Sequence, residues 1–114
     1  NDTGVLTTAG SYVWIELDTT VSANCFGACA NGTETTVNLG VAGATTALGL
    51  KFAQVGTSSV TFYTRTDTQR DYILRGSITA NIPTANLQPF LQVVAVTGTK
   101  SIDIDRYDLT WDGP

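Results

Sequence analysis

No stretch of this chain repeats its apolar residues every three to four positions, and that constrains the fold more tightly than any motif in it. Val, Ile, Thr and aromatic residues recur instead in seven or eight short runs separated by Gly, Asn, Pro and Ser. Such spacing predicts an all-β chain: an antiparallel β-sandwich, jelly-roll-like, of seven to eight strands. The 114 residues fit a single domain over 1–114, with residues 1–10 as an arm or edge strand. No internal repeat is detectable.

Ser11–Asp18 is the clearest alternating strand, with Val13, Ile15 and Leu17 to one side and Tyr12, Trp14, Glu16 and Asp18 to the other. Thr19–Gly32 is the least regular stretch and reads as a long rim loop, ending in Asn31-Gly32, a dipeptide suited to a type I′ turn. Glu34–Val41 points Val37, Leu39 and Val41 inward. After the Ala42-Gly43-Ala44 break, Thr45–Val55 does the same with Leu48, Leu50 and Phe52, and these two strands are expected to form a hairpin. Ser59–Thr66 turns Val60 and Phe62 one way and Tyr63 and Arg65 the other, before a polar loop over Thr66–Asp71. Tyr72–Ile82 keeps Tyr72, Leu74, Gly76, Ile78, Ala80 and Ile82 in one phase, Gly76 marking a bulge or a close approach. Pro83 and Pro89 bracket Thr84–Gln88, which has room for one helical turn and no more.

The last third predicts another hairpin, Phe90–Val96 and Ile102–Trp111 around Thr97-Gly98-Thr99-Lys100-Ser101. Its first arm is apolar on both faces, with Phe90, Val94 and Val96 opposite Leu91, Val93 and Ala95, so a core and a second layer or subunit are both expected to cover it. In the second arm Ile102 and Ile104 change phase to Tyr107, Leu109 and Trp111, which calls for a bulge near Asp105-Arg106.

Charged residues make up only 14%, against roughly 25% in ordinary soluble domains, and Thr is the commonest residue, so hydroxyls and amides must cover much of the surface. A net charge of −4, with six scattered bases from Lys51 to Arg106, argues against nucleic-acid or anionic-membrane partners. No apolar run approaches the ~20 residues of a membrane span, and no signal peptide is read; a start at Asn1 and not Met allows for a preceding piece. Histidine is absent, which removes His-based acid catalysis, Ser-His and Cys-His pairs and most zinc sites. No catalytic residue, cofactor or metal is therefore expected.

Cys25 and Cys29 flank a small-residue segment in which Gly27 would allow a tight ring; a disulfide is expected, with two free thiols as the alternative. Metal binding lacks further soft ligands. Asp103, Asp105, Asp108 and Asp112 invite a calcium reading, but alternation with Ile102 and Ile104 makes a solvated strand face the simpler one. Glu16-Leu17-Asp18 resembles the start of the Glu-x-Asp-x-x-Glu line of sandwich-fold glycoside hydrolases, yet Thr19, Thr20 and Val21 follow where the third acid belongs. Tyr12, Trp14 and Tyr63 share the outward phase of their strands; a second layer or subunit packing on them is the favoured reading, sugar stacking the other. Asn31-Gly32-Thr33 fits the N-glycosylation pattern, which matters only in a secretory context.

Ser59-Val60-Thr61-Phe62-Tyr63, then Ala80-Asn81-Ile82-Pro83-Thr84-Ala85-Asn86-Leu87-Gln88-Pro89-Phe90, then Lys100-Ser101-Ile102-Asp103-Ile104-Asp105 together resemble a recurrent domain of tailed-phage and other virion structural proteins with a concanavalin-like or jelly-roll sandwich. The likeness covers about the last half of the chain. It departs at Ala80, often Thr in that family, and at Arg106, often aromatic. What the resemblance implies is a non-enzymatic virion surface component: a capsid decoration (cement) protein or the head of a fibre. Its partners would be neighbouring virion subunits, and a homotrimer would suit the doubly apolar strand that carries Phe90 and Val94. A secreted carbohydrate-binding module is the alternative, with a glycan on Tyr12, Trp14 and Tyr63.

Overall fold

The computed structural model describes residues 10–17, 22–43, 48–66, 68–85 and 87. Among them run six strands and no helix: β1 (Ser11–Glu16), β2 (Asn24–Asn31), β3 (Glu34–Ala42), β4 (Leu48–Val55), β5 (Ser59–Thr66) and β6 (Ile73–Ile78). Two antiparallel three-stranded meanders result, sheet A in the order β1-β2-β3 and sheet B in the order β4-β5-β6. The expected hairpin of Phe90–Val96 and Ile102–Trp111, with Phe90 and Val94, lies outside the described residues, as do residues 1–9 of the expected 1–10 arm; the expectation of seven to eight strands meets six among those described.

Alternation sets which face is buried. Val13, Ile15, Cys25, Cys29, Val37 and Leu39 of sheet A meet Val60, Phe62 and Ile78 of sheet B, and this shared cluster is the core. The sheets approach closely where a side chain is missing. A Cβ on Gly27 would lie 2.7 Å from the ring of fully buried Phe62, and one on Gly76 would lie 3.0 Å from Val37. Beyond β6, the segment 80–83 ties the two sheets together. The Asn81 side-chain amide donates to Thr35 Oγ1 (2.7 Å) on sheet A, Gln54 Nε2 on β4 donates to the Pro83 carbonyl (2.9 Å), and Ile82 and Pro83 are buried between. Thr84, Ala85 and Leu87 adopt no helical turn.

Five sequence expectations need correction. Thr19–Gly32 is not one loop, because Asn24–Asn31 is the central strand of sheet A. Most of its residues are small because both faces are covered by large partners: Phe62 sits over Gly27 on the inside, and Ala28 and Ala30 are buried on the outside. The disulfide expected between Cys25 and Cys29 is absent, and both are buried free thiols. Four residues of extended strand separate their Cα atoms by about 13 Å, twice the reach of a disulfide.

The strands β3 and β4 do not form a hairpin. β3 stays with β2 to its end, where Asn24 faces Ala42 and the Gly43 amide donates to the Ala23 carbonyl (3.0 Å). The hairpins lie instead at the three-residue turns 31–33 and 56–58. At the first, Gly32 has φ +82° and Asn31 does not share a positive φ, so the turn is not the two-residue type I′. Finally, the phase of Tyr72–Ile82 breaks. Phe62 faces Gly76 but Tyr63 faces Leu74, so Arg75 is an extra, bulged residue and Leu74 turns outward. Bulged Arg75 donates through Nε to the hydroxyl of fully buried Thr64 (2.9 Å).

Candidate functional site

Three surfaces come from this arrangement. On the outer face of sheet A, Tyr12 and Trp14 are two residues apart on β1 and therefore stand side by side. Their rings stack at 4.0 Å with planes 16° apart. Tyr12 faces Ala30, which faces Glu34, and the Tyr12 hydroxyl donates to the Glu34 carboxylate. The ring thus crosses β2 above a residue small enough to let it pass. Trp14 faces Ala28 in the next row, and its buried indole Nε1 has no hydrogen-bond partner among the described residues. One face of each ring is taken up by the other.

The outer face of sheet B is basic and aromatic. Lys51, Tyr63 and Leu74 form one row across the three strands, and Gly49 faces Arg65 in the next. The missing side chain at Gly49 leaves room for Tyr72, whose hydroxyl would lie 2.8 Å from a Cβ there. Tyr72 therefore reaches back over β5 to two cations: Lys51 Nζ is 5.6 Å and Arg65 Cζ 5.6 Å from its ring centre, while Lys51 is also 4.9 Å from that of Tyr63. The row beside it, Ala53, Thr61 and Ser77, is small and bears hydroxyls, with Thr61 Oγ1 3.3 Å from the Tyr63 hydroxyl.

The third surface is a ledge on the inner side of β4. Phe52 faces Phe62 and Leu50 faces fully buried Thr64, so both point to the core side, as the alternation predicts. Even so, they are 45% and 46% exposed, because β4 is the edge strand of sheet B among the described residues and lies beyond the cover that buries Phe62. Phe52 retains a tilted contact with Phe62 at 6.3 Å.

Tyr12, Trp14 and Tyr63 do not share a platform: the first two are on the outer face of sheet A and the third on that of sheet B, with the core between. Phe90 and Val94 lie outside the described residues, as do Asp18 and the acidic run Asp103–Asp112. Glu16 and Glu34 are four residues apart along the strands, about 13 Å, and two strands apart across sheet A, against the 5–10 Å or so between the carboxyls of a glycosidase pair. Among the described residues no group of three or more His, Cys, Asp or Glu converges as metal ligands do, and no helix is long and apolar enough to cross a membrane. Burial raises the pKa of both thiols above the ordinary value, and the negative charge of Glu34 adds to the rise at Cys29. Neutral thiols of this kind are poor nucleophiles.

Sequence alone does not single out Lys51, Arg65 and Tyr72 as a group. The pairing of Lys51 with Tyr63 follows from the three-residue turn at 56–58, but Tyr72 joins them only through the bulge at Arg75. No family model, curated protein or solved structure matches the chain.

Proposed function

We propose that this chain is a non-enzymatic structural module of a virion surface, a capsid decoration protein or fibre head, built as a jelly-roll-like β-sandwich and assembled as a homo-oligomer, a trimer by preference. The observation that carries this reading is the ledge: Leu50 and Phe52 present core-type side chains at a sheet edge, half covered. Completing the burial of each would contribute about 1 kcal/mol, and β4, an edge strand among the described residues, would offer its unpaired backbone groups to the same surface. A neighbouring subunit satisfies both at once. The apolar pattern of Phe90–Val96 supports the same conclusion from the sequence side. The direct test is mass spectrometry of gradient-purified particles from the source culture. The chain should co-sediment with capsid or fibre proteins at a fixed stoichiometry, and recovery only in the soluble fraction would contradict the assignment.

A further inference from the structure

We propose that the outer face of sheet B binds an acidic saccharide, its carboxylate or sulfate held by Lys51 and Arg65 and its ring faces packed on Tyr63 and Tyr72. This site is on the opposite side of β4 from the ledge and stands or falls separately from the assembly reading. In a chain with six bases and net charge −4, two of the bases converge on one tyrosine. Neither has an ion-pair partner among the described residues: Lys51 contacts only rings, and Arg65 donates only to the Gln69 carbonyl (3.5 Å). Arg70 and Asp71, both exposed, precede Tyr72 and offset each other. The site is therefore electrostatically open to an anion.

Three features select a sugar acid over other anions. Two tyrosines supply rigid, flat surfaces with polar tips at low entropic cost. Leu74, 58% exposed, extends that surface beside Tyr63 for the C–H face of a second residue. The small row of Ala53, Thr61 and Ser77 leaves an open floor bearing hydroxyls, suited to hydroxylated ligands. An acidic peptide offers the charge but no hydroxylated ring for the two tyrosines and the hydroxyl row, so oligoglutamate is its control. The cations rest against the rings before any ligand arrives, so less side-chain freedom is lost on binding.

Calorimetric titration of the intact chain with oligogalacturonate, a sulfated heparin oligosaccharide, a neutral galacto-oligosaccharide and oligoglutamate tests this. At least one of the two acidic sugars should bind, and which one does distinguishes carboxylate from sulfate. The neutral sugar and the peptide should bind about tenfold more weakly or not at all. Lys51→Gln and Tyr72→Ala should each weaken the acidic sugar by about tenfold with unchanged circular dichroism, Lys51→Arg should restore most of it, and Trp14→Phe on the far face should change nothing. Failure of both acidic sugars to bind overturns the proposal. So does equal binding of the neutral sugar or of oligoglutamate, or an effect of Trp14→Phe as large as that of Lys51→Gln.

Discussion

Gly27 shows how much of this fold hangs on single atoms. A methyl group there would sit 2.7 Å from the Phe62 ring, in a core where both residues are buried and the ring has no free side to turn toward. Gly27→Ala should therefore destabilise the protein by about 1–3 kcal/mol in urea unfolding, despite the usual gain of Ala over Gly in the unfolded chain. Asn81 is the second such residue. It has φ +56° and also donates to Thr35 Oγ1, so Asn81→Ala loses a hydrogen bond and strains the backbone, at a cost of about 1–2 kcal/mol. Asn81→Gly removes the strain and should cost less than Asn81→Ala; the reverse order would contradict this account. The cysteines give a third measurement. Both should resist a thiol reagent in the native state, and both should react once the chain is unfolded without reductant, where a disulfide would leave none. Their pKa values are raised in the folded state, so the folded chain holds its thiol protons longer than the unfolded chain does. Stability is then level below the ordinary thiol value near 9.0 and declines as pH rises beyond it. The double variant Cys25→Ala, Cys29→Ala should show a shallower decline.

At the scale of elements, the strands easiest to read are those whose large apolar residues alternate. β1, β3 and β5 alternate cleanly, and Val13, Ile15, Val37, Leu39, Val60 and Phe62 all reach the core as their parity demands. β2 was illegible for a physical reason: a strand covered by large side chains on both faces must itself be small, and Cys-Phe-Gly-Ala-Cys-Ala lacks the β-branched residues that announce a strand. Its identity is written in its partners, in Phe62 on one side and the Tyr12–Trp14 stack on the other, which no local reading can see. The bulge at Arg75 hid Tyr72 in the same way. One extra residue reverses the phase of everything before it, and only the pairing with β5 reveals where the reversal falls. The Asn-Ile-Pro stretch, part of the resemblance to virion proteins, links the two sheets through Asn81 and Pro83.

At the scale of the molecule, the decisive feature is that the two sheets are out of step. Cover is complete over Val60, Phe62 and Ile78 and gives out at β4, which leaves Leu50 and Phe52 half exposed. Burial of this ledge against a neighbouring copy would take Leu50 and Phe52 the rest of the way out of water. The account therefore rests on what this ledge does in solution, and sedimentation equilibrium of the intact chain beside Phe52→Lys reads it directly. The account predicts an oligomer for the parent chain and a folded, lighter species, ending at the monomer, for the variant. A parent chain that remains monomeric at high concentration, or a Phe52→Lys variant with undiminished mass, would contradict it.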